Sequence, residues 1–275
     1  NTPADAPVAV CTMGSLIAAS EAMLSVCDMI KRVSPVDVPV IISGEYGVGR
    51  ESIARAIHEC SPRRDKRFVS APCGELPEPL FEALVFGKGG DSPASFDSRS
   101  KGLLAEAEGG TLLLVDVDLL SPALQERLLS ATQGAKFGGK SPSGVRLMGA
   151  ITDKPQLRGA SDDGVERIFP RSGTVEVRVP PLRDRQEDIL PLAMHILQQR
   201  AGAGKDIPEL APDARTALTH YAWPGNVSEL DKAMEHALDH LCDGRITRQS
   251  LPPRLLKGDP AGDAETRRKR DQVFG

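Results

Sequence analysis

The chain has 275 residues, 40% hydrophobic and 26% charged, with a net charge of −4, a composition that specifies a globular protein able to bury one good core and a second small one. The mild acidic balance provides no general pull toward nucleic acid. No apolar run approaches the ~20 residues of a membrane helix and the N-terminus does not look like a secretion signal, so no membrane partner is expected.

Five cysteines, Cys11, Cys27, Cys60, Cys73 and Cys242, are scattered without a Cys-x-x-Cys pair. That usage argues for a reducing, cytoplasmic setting and against zinc or a disulfide framework. His58, His195, His220, His236 and His240 lack ligand spacing and read as ordinary helix residues, so no metal site is expected.

Residues 1–11 are rich in Pro and Ala and read as a flexible lead-in. Ser15 to Val33 carries apolar residues at helical spacing and predicts an amphipathic helix. Val38 to Ser43 is a β-branched run that predicts a buried strand, followed by Gly44-Glu45-Tyr46-Gly47-Val48-Gly49-Arg50 and a helix from Glu51 to Cys60. Strand, glycine loop and helix in that order let converging backbone N–H groups and a helix N-terminus wrap phosphates. The spacing is that of a P-loop, except that Arg50 stands where the motif has Lys, a wide planar fork in place of a compact point charge.

Phe68 to Ala71 predicts a strand and Leu80 to Phe86 a helix; the Gly/Ser-rich stretch 87–102 predicts an exposed loop or hairpin. Thr111 to Val117 is an almost unbroken apolar run with an acid near its end, as in a central parallel strand whose end meets a site. A helix from Pro122 to Thr132 and strands at Val145 to Ile151 and Thr174 to Val179 complete an alternation that implies a three-layer α/β core with a central parallel sheet. Beyond Pro181 only helices are predicted, Gln186 to Arg200, Pro212 to Tyr221, Asn226 to Leu241 and Arg248 to Leu256, forming a small all-α domain. The tail from Gly258 is charged, poor in apolar residues and expected to be disordered. Its Arg267-Arg268-Lys269-Arg270 run is either a local basic contact or a solvated linker.

The segments GEYGVGRE, LPEPLFEALVFG, GGTLLLVD, VPPLRDRQEDI and YAWPGNVSELDKA resemble the AAA+ domain of bacterial enhancer-binding activators of sigma-54 RNA polymerase. The resemblance covers residues 15–256 and implies an AAA+ core over 12–182, a helical lid over 183–256 and a linker over 257–275. It places nucleotide contacts at Gly44, Glu45, Gly47, Val48, Gly49, Arg50 and Glu51, and an intersubunit arginine at Arg171.

Several positions depart from the family pattern. Val115 and Asp116 stand where the family has Asp-Glu, the Asp to hold Mg²⁺ and the Glu to orient the attacking water. Sliding the register by one puts Asp116 and Val117 there, which restores a metal contact and removes the water-positioning acid. Thr152 replaces the sensor asparagine, Val165 the first of two arginine fingers, and Ser228 the lid arginine. The hexapeptide by which the family grips sigma-54 is replaced by Asp91-Ser92-Pro93-Ala94-Ser95-Phe96.

The expectation is a transcription-regulator module that is a pseudo-ATPase: it neither hydrolyses ATP nor grips sigma-54, and acts by ligand sensing or self-association as a dimer or ring. The alternative is an active ATP-hydrolysing activator. ATP or ADP, or cyclic di-GMP, are candidate ligands; Arg50, Arg55, Arg183 and Arg185 are candidate rim arginines, the latter two alternatively pairing with Glu187 and Asp188. Tyr46 is read as a partial cover over the pocket, and Trp223, Pro224, Gly225 and Asn226 as lid-folding residues. DNA contact is expected only through a helix-turn-helix domain outside the fragment.

Overall fold

The computed structural model describes residues 11–14, 16–87, 102–133, 144–153, 163–170, 173–202 and 207–256. It begins with an antiparallel hairpin, β1 (Cys11–Met13) and β2 (Leu16–Ala18), and continues into α1 (Glu21–Val33). Helical spacing alone places Leu16 and Ile17 in the helix, and the structure corrects this. Ser20 is extended and its hydroxyl accepts from Met23 N at 3.2 Å, which starts the helix at Glu21. Leu16, Ile17 and Ala18 are all buried on a strand too short to display its own period.

The core then alternates: β3 (Val40–Gly44), α2 (Arg50–Glu59), β4 (Phe68–Pro72), α3 (Glu78–Phe86), the short α4 (Leu103–Glu106), β5 (Thr111–Val115), α5 (Pro122–Gln133), β6 (Arg146–Thr152), α6 (Asp163–Ile168) and β7 (Val175–Arg178). Five strands form a parallel sheet in the order β4-β5-β6-β3-β7. Apolar runs such as Leu112, Leu113 and Leu114, buried on both faces, require helices on both sides. α1 and α2 pack one face, with Ile30, Ile53 and Ile57 against Ile42 and Met148. On the other face Phe81, Leu128 and Phe169 pack against Leu112 and Leu114.

β5 ends at Val115, two residues earlier than expected, because Asp116 turns into the left-handed region (φ 54°, ψ 49°) and a 3₁₀ turn follows over Val117–Leu119. The remaining segment holds α7 (Ile189–Ala201), β8 (Glu209–Leu210), α8 (Pro212–His220), α9 (Asn226–Asp239), β9 (Arg245–Ile246) and α10 (Pro253–Leu256). Its apolar cluster includes Trp223, wholly buried, whose Nε1 donates to the Leu218 carbonyl at 2.9 Å. The all-helical expectation needs correction here too. β8 and β9 form a two-residue parallel ladder, below the length at which alternation is visible in a sequence. The last expected helix is divided into a 3₁₀ turn (Arg248–Ser250) and α10, because Pro252 and Pro253 interrupt it.

Asp188 joins the two parts. It is wholly buried, and its carboxylate accepts from Ala19 N at 2.5 Å, Ser20 N at 2.7 Å and Ser20 Oγ at 2.8 Å. The hairpin is thereby tied to the start of the helical segment.

Candidate functional site

Parallel strands deliver their carboxyl ends to one edge of the sheet, and in open α/β folds ligands sit at that edge. Neighbouring β5, β6 and β3 end at Val115, Thr152 and Gly44, with Gly44 opposite Thr152 and Val115 opposite Ala150 in the registers. The glycine loop leaves β3 at this edge. Gly49 has φ +99° and begins α2, so the loop closes with the backbone only glycine adopts readily. Val48 N donates to the Glu45 carbonyl at 3.4 Å within the turn, and Val48 is buried beneath it.

Arg50, the first residue of α2, is 8% exposed. Its Nη1 donates to Asp116 Oδ1 at 2.9 Å, and the same oxygen accepts from Thr152 Oγ1 at 2.9 Å. The left-handed turn at Asp116 carries its carboxylate over the end of β5 toward its two partners. Cys73 lies nearby, its N–H on the Val115 carbonyl at 2.9 Å; burial, reinforced by Asp116 and Asp118, pushes its thiol up to about 12. That thiol stays protonated and is no nucleophile.

The helical segment closes over the loop from the other side. Arg183 forks onto Glu45 with contacts of 2.9 and 2.6 Å, and this pairing, ahead of the opposing effect of burial, holds the Glu45 carboxyl below the usual range. Asn226 donates to the Tyr46 carbonyl at 2.9 Å and to Glu45 Oε2 at 3.2 Å, and accepts from Leu182 N at 2.8 Å. Ser228 N donates to the Gly47 carbonyl at 3.1 Å. Arg185, 2% exposed, donates from Nη2 to the Val48 carbonyl at 2.8 Å, while its buried Nε has no hydrogen-bond partner among the described residues; burial lowers its pKa.

The structure thus brings together Gly44, Glu45, Gly47, Val48, Gly49, Arg50, Asp116, Thr152 and Ser228, with Val115 at the end of β5. Glu51 faces away, paired with Arg55 at 3.3 Å, and Arg55 lies over the Phe68 ring at 4.6 Å, so neither is at the loop's inner surface. The junction pairing also differs from expectation: Arg183 reaches Glu45 rather than Glu187. Tyr46 is 72% exposed. Asn226 does more than fold the helical segment, since its amide spans to the loop. Val165 packs against the apolar cluster on the second sheet face. Arg171 and residues 91–96 lie outside the described residues.

Residues 16–159 match the model of the Sigma-54 interaction domain. The chain belongs to the sigma-54 interaction domain family. Residues 183–268 match the AAA+ ATPase lid domain, so the three-layer core with its helical segment is an AAA+ P-loop fold. Among similar proteins, the transcriptional regulatory protein ZraR of Klebsiella oxytoca is 36% identical, over 90% of this chain and 57% of its own length. The regulatory protein AtoC of Escherichia coli K12 is 34% identical, over 88% of this chain and 54% of its own. NtrX of Brucella abortus in complex with ATP superposes with a TM-score of 0.71 at 27% identity, covering 95% of this chain and 62% of that one. The chain therefore spans little more than half the length of these curated relatives.

A P-loop fold implies Mg²⁺, and the residues here do not fit that ion. Asp116 Oδ1 is already engaged by a guanidinium and a hydroxyl, and Val115 contributes no carboxylate beside it. Among the described residues no group of three or more His, Cys, Asp or Glu side chains is placed to hold a metal ion. Among the same residues no helix is long and apolar enough to cross a membrane.

Proposed function

We propose that this sigma-54 interaction domain binds an adenine nucleotide without hydrolysing it, and serves a transcription regulator as a nucleotide-sensing, self-associating module. The observation that carries this reading is the Arg50–Asp116 pair: two charges that ATP hydrolysis needs on phosphate and metal are spent on each other. With Val115 where the resemblance puts the metal-holding acid, and Asp116, in the place of the water-orienting acid, already paired with Arg50, neither task has a dedicated carboxylate at the end of β5. The absence of a preorganised base and of a metal clamp compound, since each is worth several powers of ten in rate.

Nucleotide binding itself is supported by the loop's backbone, by the AAA+ fold, and by NtrX, whose similar structures are described in complex with ADP and with ATP. Self-association, through Arg171 among other residues, and DNA contact through a domain outside residues 1–275 are part of the same proposal. So is the absence of a productive sigma-54 grip, given Asp91-Ser92-Pro93-Ala94-Ser95-Phe96 in the contact stretch.

The test is phosphate release and calorimetric titration on one preparation. ADP or ATP binding with no phosphate release above a protein-free blank is expected. Replacing Arg50 by Ala should weaken binding about tenfold, the scale of one charge-assisted contact. Sustained turnover by the wild-type chain overturns the reading.

A further inference from the structure

The divalent position and the terminal-phosphate position are coupled in P-loop proteins, because the ion bridges the phosphates and is held by the acid at the end of the neighbouring strand. Here that acid is already neutralised from within. Asp116 Oδ1 receives Arg50 Nη1 and Thr152 Oγ1, each at 2.9 Å, and the Arg50 side chain is only 9% exposed. A magnesium ion demands octahedral oxygen ligands at close range. Reaching Asp116 through its other oxygen, it would sit beside the guanidinium, two cationic centres sharing one carboxylate.

Resting on the nucleotide reading above, we propose that the loop takes its nucleotide free of divalent metal, as a nucleoside diphosphate, with the Arg50 guanidinium standing in the place of the ion. A diphosphate is held by the amides between Gly44 and Arg50 and by the remaining donors of Arg50. A triphosphate puts a further charged group toward Asp116 with no metal between them, and like charges at that range repel. Thr152 strengthens this arrangement: as a hydroxyl donor on the same oxygen it holds the carboxylate aimed at Arg50.

The experiment is titration of the whole 275-residue chain with ADP and with ATP, each once in EDTA and once in excess Mg²⁺. Expected are ADP affinities within about twofold of one another in the two buffers, and ATP in EDTA weaker than ADP by about tenfold. Binding of either nucleotide that is seen only with Mg²⁺, or is tightened about tenfold by it, overturns the metal-free reading and leaves nucleotide binding standing. Absence of binding in all four titrations overturns nucleotide binding itself, and the two failures are thereby told apart. A double variant, Arg50→Lys with Val115→Asp, should acquire a Mg²⁺ dependence of about tenfold for ADP; a variant that binds ADP and remains indifferent to Mg²⁺ contradicts the role given to Arg50.

Discussion

His58 is a residue whose position makes folding depend on pH. It is 4% exposed, with Nδ1 2.8 Å from Thr111 Oγ1 and Nε2 3.1 Å from the Lys66 carbonyl. Burial is the main cause that pulls its pKa below the ordinary 6.5, against the opposing pull of the Lys66 carbonyl. The folded chain therefore binds this proton less readily than the unfolded one, so the stability it contributes is complete above the unfolded pKa and falls away as pH drops from about 6.5 through the lowered folded value. Denaturant unfolding at about pH 7.5 and about pH 5.5 should give lower stability at the acid end, and His58→Gln should reduce that slope. At this same scale the sequence is legible in part. Arg50, Asp116 and Thr152 stand out individually as departures from a pattern. Their union does not, because a contact across 66 residues depends on the order β5-β6-β3 and on the left-handed turn at Asp116.

At the scale of elements, the first turn of α9 is the part that grips the P-loop. Asn226 is wholly buried with φ +52°, and its amide serves Tyr46, Glu45 and Leu182. Asn226→Ala removes those bonds and also puts a residue that tolerates the left-handed backbone less well than Asn at φ +52°. A drop of about 2–4 kcal/mol in chemical denaturation is expected, and Asn226→Gly, free of the backbone penalty, should recover about 1 kcal/mol of it. Equal drops would show that the backbone strain is borne elsewhere. Most elements are readable from apolar runs and helical spacing, since strands buried on both faces and helices with one buried face leave those patterns. The hairpin and the β8–β9 ladder are not. Elements of two or three residues are too short for any period, and only their pairing makes them strands.

At the scale of the molecule, Asp188 is a buried tie between the core and the helical segment, alongside Arg183, Arg185, Asn226 and Ser228. Its carboxylate is the partner of three donors at Ala19 and Ser20, and Asp188→Ala leaves all three unmet, the two on Ser20 buried. A drop of at least ~3 kcal/mol is expected, with Asp188→Asn retaining part of the stability, measured by denaturant unfolding. If core and lid then unfold in two separate transitions, the joint is what made them cooperative. The domain order is legible in the change from alternating strands and helices to helices after Pro181. This joint is not, because neither Glu187 nor Asp188 carries a local sign of which one will be buried against the beginning of the chain.

Gly47 has φ +78°, and a Cβ built on it would overlap the Gly225 carbonyl oxygen and lie 3.1 Å from Ser228 Cβ. A Cβ on Gly44 would come within 2.9 Å of both the Val179 carbonyl and Val48 Cγ2. Two glycines of the phosphate fingerprint are thus required by internal fit before any nucleotide arrives. A chain that had given up its ligand altogether would still have to keep them, and the loop's spelling by itself is a record of architecture as much as of chemistry.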